Sequence, residues 1–265
     1  MLLSDLLNHF ELIWPSSAAE AWDRPGLMLG APGNSVSRVL LTVDVTSEVI
    51  AEAADLGCQL IVSHHPMYLR GVTELGESRL KGQLTAAAIR SNLAVFSAHT
   101  NADFQPHGVT NTLARALGLG KLRPMNEFGH GAIGELESPE SLLEFARRVS
   151  RALPPVAQGV KVSGDPGKEI NTVAVLAGAG DSYLDSVQLS GADVYVTSDL
   201  RHHPAQDFTE QSKLTSGPAL IDISHWAAEW LWLDVASGQL SEAFPELEVI
   251  VSELKTDPWT FVVMQ

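Results

Sequence analysis

His64 and His65 stand side by side after the apolar run Leu60–Val62 and are followed at once by Pro66. Adjacent side chains on an extended backbone point to opposite sides, so such a pair can serve two ions only where the strand breaks. Pro66 supplies the break, because it restricts His65 and cannot continue a hydrogen-bond ladder. Far along the chain, His225 and Glu229 lie four residues apart at the start of a helix capped by Ser224 or Asp222. Residues at that spacing share a helical face, so an imidazole and a carboxylate can converge on one ion. His99 and Asp103 form another imidazole–carboxylate pair after the run Ala94–Ser97. Each motif has an ordinary alternative when taken alone: a polar turn, a surface pair, an Asx turn. Together they offer His64, His65, Asp103, His225 and Glu229, with His99 in reserve. Five nitrogen and oxygen ligands exceed what one tetrahedral ion needs, and two divalent ions bridged by a carboxylate is the economical expectation. Zn, Fe, Mn, Co and Ni all suit such ligands.

The elements that must position these residues are short β-branched runs alternating with helix-period stretches. Strands are expected at Val39–Val43, Gln59–Val62, Ala94–Ser97, Thr172–Leu176, Asp193–Thr197 and Ala219–Ile223. Helices are expected at Ser47–Leu56, Leu84–Ser91, Val109–Leu117, Ser141–Leu153, Tyr183–Leu189 and Trp226–Leu240. Alternation of this kind implies a mainly parallel sheet with helices on its faces. The order also repeats. A strand and helix lead to Leu56–Pro66 in one half and to Ser190–Pro204 in the other, and both units then offer a strand ending beside a histidine. The expected fold is therefore α/β, with two similar interlocked halves, 1–120 and 121–265, and largely parallel or mixed sheets flanked by helices. The histidines cluster after strands, where open α/β sheets collect ligands, which places a metal site in the cleft between the halves. Pro154–Gly159 and Gly164–Gly167 read as loops.

Composition limits the function classes. Hydrophobic residues make up 45% of the 265, charged residues 18%, and the formal net charge is −15. A core can be buried, and so large a negative charge disfavours general nucleic-acid binding or attachment to anionic membranes. Cys58 is the single cysteine, which rules out an internal disulfide and thiolate-rich metal sites. Leu2, Leu3, Leu6, Leu7, Phe10 and Ile13 recur at helical spacing among polar residues, the pattern of an amphipathic helix rather than a signal peptide. No segment reaches the roughly 18 apolar residues of a membrane span. A cytoplasmic location is expected. Gly129–Gly134 fits G-x-G-x-x-G but lies in or beside a strand and opens no helix, so it is no dinucleotide fingerprint. Gly178-Ala-Gly180 reads as a tight turn.

The motifs resemble the GTP cyclohydrolase 1 type 2 homologue family, also called the NGG-interacting-factor-three-like dinuclear metal proteins. The matching pieces are Trp22-Asp23-x-x-Gly26-Leu27, Asp44-Val-Thr46, Ser63-His64-His65-Pro66, His99-Thr-Asn-x-Asp103, Gly108-Val109-x-Asn111, Thr197-Ser-Asp199-Leu-Arg-x-His203 and Asp222-x-x-His225-x-x-x-Glu229, in the family's order. The resemblance implies two metal ions on His64, His65, Asp103, His225 and Glu229, with Glu229 touching both, and a ring-shaped homohexamer of the family's short form. Arg24 stands where the family usually has asparagine, and Pro204 where an acidic residue is common, departures that bear on substrate preference. The implied activity is metal-dependent hydrolysis: opening of the guanine imidazole ring of GTP, or related C–N or phosphoester hydrolysis of a small molecule. His99 or His203 would carry protons, and Asp44 and Asp222 would orient ligands. The alternative is a non-catalytic metal-binding ring that recruits protein partners.

Overall fold

Runs rich in Val, Ile and Leu form the buried strands, because a β-branched side chain packs well on a pleated surface covered on both faces. The structure is a computed structural model and describes residues 1–264. In chain order the strands are β1 (Gly26–Leu29), β2 (Arg38–Thr42), β3 (Leu60–Ser63), β4 (Ala94–Ser97), β5 (Gly120–Pro124), β6 (Ala132–Ser141), β7 (Lys161–Ser163), β8 (Glu169–Ala179), β9 (Val194–Ser198), β10 (Ala219–Ile223) and β11 (Glu248–Val251). They make two sheets, and the chain divides into two compact units that hold one sheet each.

The first unit comprises Met1–Gln105 and Leu233–Thr256. Its sheet runs β1-β4-β3-β2-β11, with β11, β2, β3 and β4 parallel and β1 antiparallel at the edge. Every residue of β3 and β4 is buried. Alternation along the strands sends Leu40, Ile61 and Val95 to one face, where they meet Val49, Ile50 and Ala53 of helix Ser47–Asp55 and Leu84 and Ala88 of helix Leu80–Arg90. Thr46 caps the first of these helices, its hydroxyl accepting from the Val49 N–H at 3.2 Å. Phe96, one residue on from Val95, packs against Phe10 of helix Leu3–Ile13, the rings tilted at 45° with centroids 4.6 Å apart.

The second unit comprises Pro106–Trp232 and the stretch from Asp257. Its sheet runs β5-β6-β8-β9-β10-β7. Strands β8, β9 and β10 are parallel, while β7 pairs antiparallel with β10 at one edge and β6 and β5 continue antiparallel beyond β8. The order β7-β10-β9-β8 repeats β1-β4-β3-β2, with the same strand directions, so the duplication visible in the sequence is a duplication of topology. The two halves are similar α/β units with mixed sheets.

The expected helices are present, the one over 84–91 starting earlier at Leu80, and Thr100–Asp103 forms a helical turn; two larger differences stand out. Residues 226–240 were expected as one helix but form His225–Trp230 and Trp232–Ala243, with the break at Leu231. Helix His202–Thr215 was not expected. Phe208 is its only buried residue, so its sequence carries almost no apolar stripe. Pro154–Gly159 and Gly164–Gly167 are loops, and Gly129–Gly131 immediately precede β6. No helix among the described residues is long and apolar enough to cross a membrane.

Candidate metal centre

In the first unit, three parallel strands deliver donors at their carboxyl ends. Asp44 follows β2, His64 and His65 follow β3, and His99 follows β4. Strand β3 ends at Ser63, the His64 and His65 N–H groups still donate to the Thr42 and Val43 carbonyls at 3.0 and 2.8 Å, and the two imidazoles lie close together before Pro66. Their rings lie 5.0 Å apart, and His99 lies 5.4 Å from His64 and 5.6 Å from His65. Ligand atoms of His64, His65 and His99 fall within 4.8 Å of one another, a group that could hold a metal ion. Asp103 ends the helical turn Thr100–Asp103, and its Oδ1 lies 3.5 Å from His64 Nε2.

The other ring nitrogens are occupied in a uniform way. His64 Nδ1 donates to the Ala98 carbonyl at 2.8 Å, His65 Nδ1 to Asp44 Oδ1 at 2.8 Å, and His99 Nδ1 to Asp23 Oδ2 at 2.9 Å. An oxygen acceptor on Nδ1 fixes the tautomer and makes Nε2 the nitrogen for coordination, the arrangement found around metal-bound histidines. His64 is 1% exposed, so its ring has one orientation available. Asp23 is also tied to Thr100, from whose N–H and Oγ1 it accepts at 3.2 and 2.6 Å. Burial raises the pKa of Asp23, but the bonds from His99 and Thr100, the charge of His99 and the Arg24 N–H outweigh it and bring the value down to about 2.

The second unit carries an imidazole–carboxylate pair of its own. Ser224 caps helix His225–Trp230, its hydroxyl accepting from the Ala227 N–H at 3.2 Å, and this places His225 and Glu229 on one face directly after β10. Their facing atoms, His225 Nε2 and Glu229 Oε1, are 2.9 Å apart. His225 Nδ1 donates to Asp199 Oδ2 at 2.6 Å, the same arrangement again. Burial lowers the pKa of His225, but the charge of Glu229 and the hydrogen bonds to Asp199 and Glu229 hold it well above 6.5. Glu229 is 3% exposed, and a carboxylate so buried demands a positive charge beside it. Gly178 completes the cradle. At φ +85°, a Cβ added there would sit 3.0 Å from Glu229 Oε1 and 3.6 Å from His225 Nε2, so only glycine leaves the pair its space.

The donor set is entirely imidazole and carboxylate, which fits a first-row divalent ion. Asp44 sits on His65, as expected of a residue that orients a ligand. Asp222 does not play that part: its carboxylate pairs with Lys161 across the β7–β10 edge, and Asp199 orients His225 instead. Asp199 lies in the turn after β9 at φ +54°, a conformation that aspartate tolerates better than most residues. Its place just beyond a parallel strand was the signal that could have found it. Asp23 was visible as part of a motif but without a role. His203 stands apart from these groups: it lies in the first turn of helix His202–Thr215, its ring 5.1 Å from that of His202, in an open cavity with Asp181, Asp185 and Asp207.

Relatives carry the same architecture. Residues 1–258 match the family model Duf34/NIF3 (NGG1p interacting factor 3). A Streptomyces coelicolor protein described as a GTP cyclohydrolase 1 type 2 homolog is 41% identical over 97% of this chain and 93% of its own length. A Clostridium perfringens protein of the same description is 31% identical over 99% of this chain and 100% of its own. Among solved structures, a Bacillus cereus protein related to NIF3 superposes with a TM-score of 0.90 at 24% identity, and a Staphylococcus aureus hypothetical protein with 0.89 at 27%, each over 99% of both chains. A match of this extent, on the sequence side as well as in the fold, makes the chain a member of the Duf34/NIF3 family.

Proposed function

We propose that the two half-sites act together: His64, His65 and Asp103 with His225 and Glu229 would hold two divalent ions, Glu229 serving both as the resemblance implies, and the protein is a metal-dependent hydrolase. The observation that carries this reading is the shared second contact of the histidines. His64, His65 and His225 each engage a carbonyl or carboxylate oxygen through Nδ1, which leaves Nε2 of each ring for an ion. Such a centre, when loaded, supplies a water nucleophile that ionises near neutral pH and polarises the bond under attack.

The chain's own residues would do the rest. Asp44 and Asp199 keep the imidazoles of His65 and His225 in one tautomer and orientation. His99, held at Nδ1 by the ionised Asp23, would take up and return a proton at Nε2. His203 was the other candidate for that role, and no hydrogen bond to its ring occurs among the described residues. The descriptions of the Streptomyces and Clostridium relatives suggest the substrate, a purine nucleotide such as GTP opened at its imidazole ring. Related C–N or phosphoester bonds suit the same chemistry. The working form proposed is a homohexameric ring in the cytoplasm, as the resemblance implies. The test is turnover of GTP and a phosphoester panel by metal-reconstituted protein, beside Asp103→Ala, Glu229→Ala, His99→Ala and His203→Ala. Turnover abolished by the first two and strongly reduced by His99→Ala, but not by His203→Ala, supports the reading. Two bound ions with no turnover of any compound would favour the non-catalytic alternative.

A further inference from the structure

Trp22 is a large aromatic side chain left 62% exposed, and it stands against the histidine group rather than on an indifferent surface. Its ring meets that of His99 edge-on, with centroids 5.8 Å apart. The segment carrying it is clamped. The Asp23 N–H donates to the Glu20 carbonyl at 2.9 Å, closing a turn with Ala21 and Trp22 at its tip. The Glu20 N–H donates to Thr100 Oγ1 at 3.0 Å, and the Asp23 carboxylate holds Thr100 and His99. An aromatic ring held in place beside a reaction site is ready to stack on a planar ligand. Arg24 adds a charge. Its Nη1 donates to the Ala21 and Asp23 carbonyls, at 2.9 and 2.5 Å, which fixes the guanidinium at the same tip. It makes no ion pair among the described residues, although the chain carries a net charge of −15. A cation without a carboxylate in so acidic a protein is available to an anionic ligand.

We propose that the Glu20–Arg24 turn is the substrate-recognition element of the first unit, with Trp22 stacking on a planar heterocycle and Arg24 binding a phosphate attached to it. The ligand class is a nucleotide, and the two residues set specificity without taking part in bond cleavage. This rests on the reading of His64, His65 and His99 as the reaction side of the unit and sharpens its substrate class.

The test is equilibrium binding of GTP, guanosine and inorganic tripolyphosphate to metal-loaded wild type, Trp22→Ala, Trp22→Phe and Arg24→Asn, with metal content measured for each. Stacking is worth enough that Trp22→Ala should weaken GTP and guanosine by about 5-fold or more. It should leave tripolyphosphate unchanged, and Trp22→Phe should restore most of the loss. Arg24→Asn should weaken GTP and tripolyphosphate but not guanosine, with a deficit that shrinks as salt rises. Equal loss of all three ligands in Trp22→Ala would mean a structural role, and no loss, or no purine binding by wild type, would equally overturn the proposal. The result is distinct from the fate of the hydrolase reading, which stands or falls on metal content and turnover in the Asp103 and Glu229 variants.

Discussion

Replacing Asp23 by asparagine removes one charge from a buried cluster and leaves the shape almost intact. The carboxylate is 4% exposed and accepts from His99 Nδ1, the Thr100 N–H, the Thr100 hydroxyl and the Arg24 N–H. Its pKa falls from 3.8 to about 2, and at about 1.36 kcal/mol per pKa unit the ionised form stabilises the fold by roughly 2 kcal/mol. The sign follows from the direction. A depressed carboxyl pKa contributes stability in full above its unfolded value and loses it as pH falls toward the folded value. Asp23→Asn should therefore lower the unfolding free energy of the first unit by about 2 kcal/mol near neutral pH, and by about half of that at about pH 3. Urea unfolding of both proteins across this range, with chelator present, measures the difference. A deficit that stays constant with pH, or that is below about 0.5 kcal/mol at neutrality, would refute the charge-based account of this cluster.

Gly178→Ala should push Glu229 and His225 apart and lower metal affinity at least about 10-fold, since the added methyl meets Glu229 Oε1 at 3.0 Å and the backbone is at φ +85°; isothermal titration with a divalent ion reads it. Asp199→Ala should weaken metal binding by about 10- to 100-fold, whereas Asp222→Ala, whose carboxylate pairs with Lys161, should leave it unchanged. Equal effects would remove the distinction drawn between these aspartates. Cys58 is buried with its pKa pushed up to about 11, principally by burial, so it should resist thiol reagents near pH 8 in the folded protein and react on unfolding.

Most of the strand and helix framework was legible because its strongest elements are doubly buried. Leu60–Ser63 and Ala94–Ser97 have no polar residue to spare before their last position, and nothing but a central strand accommodates them. The repeated topology was legible too, since the same order of strand, helix and histidine recurs. What escaped was held together by tertiary structure rather than by local pattern. No strand was expected at β1, β5, β7 or β11, and β6 was foreseen only as a strand beside Gly129–Gly134; β7 is three residues long and β11 pairs with β2 from more than 200 residues away, so neither of these carries a local signal. Helix His202–Thr215 buries one residue and depends on its neighbours for its place. At the candidate site, His64, His65, Asp103, His225 and Glu229 were picked out by type and spacing as proposed metal ligands, and the structure places His64, His65 and Asp103 near one another and His225 beside Glu229. Their orienting partners were only half readable. Asp44 follows a strand one residue past Val43; Asp199 also stands just beyond a strand, but its left-handed turn gives no local signal, and the assignment to Asp222 was a choice between two aspartates in similar positions.

The central claim is that donors from both units share one pair of ions, and anomalous diffraction from a metal-loaded crystal tests it most directly. The account predicts two divalent ions per chain, with Glu229 ligating both, His64, His65 and Asp103 among the ligands of the pair, and His225 on one of them. Metal bound to His64, His65 and His99 alone, with His225 and Glu229 left paired to each other, would contradict it.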